Sequence, residues 1–192
     1  MRRTRAGERL LLGDGRGRLA DAEVTGVGRD SLTLRVLARR QVPAPRPTVT
    51  LAQALIKGDR GELAVELATE AGVDAVLPWR AARCVARWED GPRGDKALAR
   101  WRSTVLAAAK QSRRAWLPVV TEPLDTRALA AYFAGGGGRA ALVLHEAAGT
   151  PIAEGVRALA PAGSGPEELV LVVGPEGGIA DEELDLLCSA GA

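Results

Sequence analysis

The stretch Leu169–Leu184 reads LVLVVGPEGGIADEEL, and its first five residues form an unbroken apolar run that stops at Gly174. A short apolar run rich in valine, bounded by Gly and Pro, predicts a strand buried on both faces. The acids after Ile179 predict a helix, because carboxylates in a first turn complement the positive end of the helix dipole. The turn between them leaves the carboxyl end of a strand, which is where open α/β sheets place their ligands. Gly174, Gly177 and Gly178 allow backbone to approach a ligand closely, and Pro175 stiffens the loop. Glu176, the lone acid at its middle, would repel a phosphate, and the spacing matches neither G-x-G-x-x-G nor a P-loop. The loop therefore suits a neutral or cationic ligand held by backbone groups. The plainer alternative is a tight turn into a helix capped near Asp181, with Glu182 and Glu183 in its first turn.

Working outward, "LVLHE" places His145 and Glu146 at the end of a second buried strand, Ala140–Glu146, with the turn GSGP (Gly163–Pro166) between the two runs. Two loops at one sheet edge make a pocket. His145 is the only histidine, so a dyad with Ser or Cys stays open by count. No G-x-S-x-G elbow is present. Upstream, KGDRGELAVELATEAGVDAVLPW (Lys57–Trp79) predicts a β–α–β unit with a strand at Thr48–Ala52 and another at Ala75–Trp79. Asp59 and Glu62 have capping-box spacing, and Gly72 stands where a left-handed residue ends a helix. In the next helix Leu98, Trp101, Val105 and Ala108 recur at helical spacing and are expected in the core. Val119–Val120 ends a strand, Leu124–Phe133 predicts a helix, and Gly135–Gly138 is a flexible joint. The four tryptophans are read as core residues.

The first fifty residues read instead as short strands, with Leu32, Leu34 and Val36 alternating on one side and prolines at 43, 45 and 47 marking a connector. The expected organisation is a β domain at 1–47 and an α/β domain with a parallel sheet at 48–192.

Net charge is +2, distributed as +6 over residues 1–50, +4 over 51–140 and −8 over 141–192. This asymmetry points the first two thirds toward a polyanion, with solvated arginine-rich faces as the bland alternative. KQSRR (Lys110–Arg114) ends a helix, and RAARCVARW (Arg80–Trp88) interleaves Arg83 and Arg87 with apolar residues. Both fit phosphate contacts, and the first fits equally well as cations on a helix dipole. No apolar stretch nears the ~20 residues of a membrane span. The basic opening lacks the core and cleavage site of a signal peptide, and Cys84 and Cys188 have no metal-ligand spacing. A cytoplasmic location without metal is the simplest expectation.

Taken in order, KGDRGELAVELATEAGVDAVLPW, RCVARW, AAAKQSRR, LVLHE and LVVGPEGGIADEEL resemble the ribosomal RNA small subunit methyltransferase E family, which methylates uracil N3 in 16S ribosomal RNA and belongs to the knotted SPOUT superfamily. The resemblance covers nearly the whole chain. It implies a PUA-like RNA-binding β-barrel followed by an α/β domain with a trefoil knot, S-adenosylmethionine as cofactor, the small ribosomal subunit as partner, and a homodimer. Two of the family's cofactor loops map here, onto Leu144, His145 and Glu146, and onto Gly174, Pro175, Gly177, Gly178 and Ile179. The family's Q-S-x-R pattern maps onto Gln111, Ser112 and Arg114, near the target base or RNA backbone, with Arg113, Arg83 and Arg87 as further RNA contacts. Arg114 is the expected stabiliser of a uracil N3 anion, and Glu176 an orienting group or base. The family also has a first barrel strand ahead of the segment corresponding to Arg2, and a strand and third cofactor loop after the one corresponding to Ala192. A competing expectation is a non-catalytic RNA-binding or assembly module with a vestigial cofactor site.

Overall fold

The computed structural model describes residues 4–159 and 165–192. Gly163 and Ser164 of the expected GSGP turn lie outside them. The described residues form two compact units, one comprising Thr4–Ala44 with Arg113–Leu117, the other Pro45–Ser112 with Pro118–Leu159 and Gly165–Ala192.

In the first unit, β1 (Arg9–Gly13), β2 (Arg18–Val27) and β3 (Leu32–Gln41) form an antiparallel sheet in that order. Asp14 makes the first hairpin. Its carboxylate accepts from the Arg16 and Arg18 amides at 2.8 and 3.1 Å, so the turn's free donors are satisfied locally. Leu34 and Val36 lie opposite the buried Val24 and Ala22, but of the alternating Leu32, Leu34 and Val36 only Leu34 is partly buried, and the other two are exposed. The segment Arg113–Leu117 completes the unit. Gly17 donates to Ala115 O, Leu117 to Gly15 O, and the Trp116 indole to Val42 O at 3.1 Å.

The second unit is α/β. β4 (Thr48–Ala54), β5 (Ala75–Arg80), β6 (Val119–Val120), β8 (Arg139–Leu144) and β9 (Glu168–Val173) run parallel in the order β6-β5-β4-β9-β8. A two-residue strand, β7 (Leu124–Asp125), continues beside β5 beyond β6. Central β4 is buried from Thr50 to Ala54, two residues beyond the expected strand end. Such a strand pairs on both edges and is packed on both faces, which is why TVTLAQA carries no charge.

Helices α1 (Arg60–Ala71) and α2 (Pro92–Gln111) pack together. Gly61 permits this approach, since an added Cβ would stand 3.0 Å from the Trp101 ring. Leu98, Trp101, Val105 and Ala108 are buried as their spacing predicts. Trp88 meets Trp101 edge-on with ring centroids 4.8 Å apart, and Trp79 is fully buried. Gly72 ends α1 at φ 112°, its amide reaching Ala68 O and Thr69 O. The expected capping box does not form. Asp59 sits at φ −74°, ψ −6°, already helical, and its carboxylate accepts no capping bond; a capping side chain needs an extended backbone to reach the free amides.

Helix α3 (Thr126–Ala134) starts later than expected because Leu124 and Asp125 are drawn into pairing with β5, and Asp125 caps it by accepting from the Ala128 amide at 2.7 Å. A helix absent from the sequence expectation, α4 (Ile152–Leu159), joins β8 to β9. α5 (Asp181–Ser189) packs on α3. Among the described residues no helix is long and apolar enough to cross a membrane.

Candidate functional site

The chain leaves β4 toward β5 on one side and reaches β9 from β8 on the other. Connections therefore diverge at the β4–β9 pair, and the carboxyl ends of these two strands form a topological switch point. Two segments meet there. The Lys57 amide, just past β4, donates to Glu176 Oε1 at 3.3 Å across the gap.

The loop after β9 doubles back on itself. Gly178 N donates to Pro175 O at 2.9 Å, leaving Glu176 and Gly177 as its exposed tip while Pro175 and Ile179 are buried. Ile179 folds over Gly174 so closely that a Cβ there would stand 2.7 Å from its Cγ1. Gly178 has φ +74°, and its bare Cα faces Arg83 Nη1 and Glu146 Oε1, which would lie 3.7 and 3.8 Å from an added Cβ. The loops after β8 and β9 thus adjoin at Gly178, as expected of neighbouring strand ends. The resulting cradle has small residues and the carboxylates of Glu146 and Glu176 beside the Arg83 guanidinium, which is engaged by the Gly177 and Ile179 carbonyls, so its charge balance is acidic and fits a cation-bearing ligand better than an anion.

On the β8 side Leu144 is 38% exposed. His145 is half-buried, and its Nδ1 accepts from the Ala147 amide at 3.2 Å. With its δ nitrogen occupied as an acceptor, His145 stands as a turn-forming residue whose Nε2 lies 4.0 Å from Glu146. Cys84 is buried beneath the turn after β5. Burial pushes its thiol up, and the carboxylates of Glu183 and Glu176 act in the same direction, so it has the opposite of a nucleophile's setting.

The residues read as RNA contacts are dispersed. Arg83, in the turn after β5, directs Nη1 at Gly177 O and Ile179 O, 3.4 and 3.3 Å away. Arg87 is exposed in the following loop. Gln111 is the exposed last residue of α2, and Ser112 turns its hydroxyl back to Ala108 O at 2.7 Å. Arg113 takes the left-handed conformation, φ 55°, where the chain leaves α2. Arg113 and Arg114 belong to the first unit, whereas Glu176 and both loops belong to the second.

Sequence reasoning missed a buried hydrogen-bond chain centred on Glu183. Glu183, expected as a first-turn acid, is 9% exposed and accepts from the Ala82 amide at 2.9 Å and from the Thr126 hydroxyl. The Thr126 oxygen in turn accepts from the Trp79 indole at 3.1 Å.

A family model described as an RNA methyltransferase domain matches residues 43–192, and an RNA methyltransferase PUA domain matches residues 2–37. The ribosomal RNA small subunit methyltransferase E of Mycobacterium bovis is 55% identical over all of this chain and 71% of its own length. The chain belongs to the ribosomal RNA small subunit methyltransferase E family. The Synechocystis member is 32% identical over 98% of this chain and 59% of its own length. The crystal structure of the Neisseria gonorrhoeae member, bound to S-adenosyl methionine, superposes with a TM-score of 0.81 at 26% identity, covering 97% of this chain and 73% of that one. The antiparallel sheet of the first unit thus matches the family's PUA part, and the parallel sheet its methyltransferase part.

Proposed function

We propose that this protein transfers a methyl group from S-adenosylmethionine to N3 of a uridine in 16S ribosomal RNA, working as a homodimer on the small ribosomal subunit. The observation that carries this reading is the cradle at the β4–β9 switch point, where the backbone of Gly177 and Gly178 lies beside Glu176 and Glu146. It is supported by the family and by the cofactor-bound relative. In this reading residues 1–47 form the RNA-binding domain, with Arg83, Arg87 and the Gln111–Arg113 segment as added RNA contacts, and residues 48–192 carry the cofactor.

When bound, the cofactor supplies an electrophilic methyl group on a sulfonium. The chain's own task is then positioning and charge. Backbone of Gly174–Ile179 and of Leu144–Glu146 would hold the ligand, while Glu146 and Glu176 would favour its positive centre and disfavour a competing phosphate. Uracil N3 becomes a nucleophile on losing its proton. Arg114, which matches the last position of the Q-S-x-R pattern, stabilises the resulting anion. Glu176 orients the ligand or takes that proton, its other oxygen already bound to the Lys57 amide.

The test is methylation of 30S subunits from a strain lacking the gene, using methyl-labelled cofactor and the full-length protein, followed by mass spectrometry of the nucleosides. Label is expected in 3-methyluridine alone. Label in another nucleoside would refute the N3 assignment. A protein that binds both cofactor and subunits but leaves no label would favour the non-catalytic RNA-binding module.

A further inference from the structure

We infer that Arg83 and Glu183 are positioning residues that hold the Gly174–Ile179 loop in its ligand-binding shape, with Glu183 acting through the Ala81–Cys84 turn; this rests on the reading that the loop binds S-adenosylmethionine. Three observations converge on it. First, carbonyls of Gly177 and Ile179 both turn toward Arg83 Nη1, which ties the loop's tip and its downstream limb to one guanidinium. Second, the loop rests on the Arg83 backbone, since a Cβ at Gly177 would stand 3.4 Å from Arg83 Cβ and 3.5 Å from Arg83 O. Third, the turn that carries Arg83 is itself held at both ends. Cys84 N donates to Ala81 O at 3.1 Å, and Ala82 N donates to Glu183 Oε1 at 2.9 Å.

Glu183 is a costly way to fix a turn. Its carboxylate is buried, Oε1 serves Ala82 and Thr126, and Oε2 has no hydrogen-bond partner among the described residues. Burying a carboxylate with one oxygen unmatched destabilises a fold, and an apolar side chain on α5 would fill the space at lower cost. What the acid supplies is geometry. It links α5, which follows the loop, to α3 through Thr126 and to the turn beneath the loop through Ala82. The loop is thus clamped from its downstream helix and from the turn after β5, so its shape is set before ligand arrives.

The test is a double-mutant cycle on S-adenosylmethionine affinity, measured by calorimetry on the full-length protein. Arg83→Ala is expected to weaken binding about tenfold, the scale of losing one or two ordinary hydrogen bonds, with a fall in melting temperature of no more than roughly 2–4 °C. Glu183→Ala should weaken it by a similar factor, Glu183→Gln should restore most of it, and the double variant should be no weaker than about twofold beyond Arg83→Ala. Wild-type affinity in Arg83→Ala, or independent effects that multiply to about a hundredfold, would overturn the inference. Should Glu183→Ala not fold, Arg83→Ala decides alone, because that side chain is exposed. Wild-type protein that takes up no cofactor would refute the cofactor reading itself, a distinct result.

Discussion

Glu168→Gln is expected to destabilise the α/β unit by about 2 kcal/mol at neutral pH, the range for hydrogen bonds to a charged group. Glu168 opens β9 at the end of the sheet opposite the cradle. It accepts from the hydroxyls of Thr50 and Tyr132 and, at 2.8 Å, from Arg139 Nε. Arg139 also lies 4.2 Å above the Tyr132 ring and donates to Tyr132 O. The glutamine keeps an acceptor for the two hydroxyls but turns an amide toward a guanidinium, so donor faces donor. The pair is 25% and 16% exposed, so solvent screens it only in part. Burial raises the Glu168 pKa, yet the bonds from Thr50, Tyr132 and Arg139 together outweigh it and hold the carboxyl below its ordinary value of 4.5. A folded pKa below the unfolded one means the unfolded chain binds the proton more readily. The stabilisation is therefore complete above about pH 4.5 and is lost as pH falls through the lower folded value. Urea titrations of both proteins at pH 7, 5 and 3.5 should show a gap of about 2 kcal/mol at the first two and a closing gap at the third. In melting temperature the neutral gap corresponds to roughly 4–8 °C for a chain of this size. No gap at pH 7, or one that stays constant to pH 3.5, would refute the reasoning.

Further expectations concern the site and its supports. Gly178→Val places a β-branched side chain at φ +74° and fills the space between Arg83 and Glu146, so cofactor binding should fall below detection by calorimetry with the circular dichroism unchanged; normal binding would sink the cradle. Arg114→Ala should lower methyl transfer to 30S subunits by about a hundredfold or more while cofactor affinity survives, and unchanged turnover would remove Arg114 from the mechanism. Asp125→Ala removes the cap on α3 and should cost about 1 kcal/mol in a thermal melt, with no effect expected if the Ala128 amide simply turns to solvent.

What could be read from the sequence followed the strength of its periodicity. The apolar runs of β8 and β9 and the helical spacing of Leu98, Trp101, Val105 and Ala108 are long signals, and each repeats its message over several residues. α4 is short and carries Gly155 at its middle, which local propensity counts against a helix. The structure uses that glycine, since a Cβ there would press on Leu142 of β8 at 3.3 Å. β7 is two residues long and exists only through its pairing with β5, a tertiary fact with no local sign.

The cradle was legible because its glycines and proline punctuate the end of a buried run, whereas the brace beneath it was hidden by a reading that is correct for its neighbours. Asp181, Glu182 and Glu183 all suit the first turn of a helix, and two of them are solvated there. Glu183 differs by its face. It stands one helical turn before Leu187, which is fully buried, so the 3.6-residue period puts its side chain on the apolar side of α5. An acid on that side must find donors or unfold the helix from the sheet. Those donors, the Ala82 amide and the Thr126 hydroxyl, lie about a hundred and nearly sixty residues away in sequence. Chain proximity could not have named them. The helical period alone could have marked Glu183 as the acid that required them, and with it the turn on which the ligand loop rests.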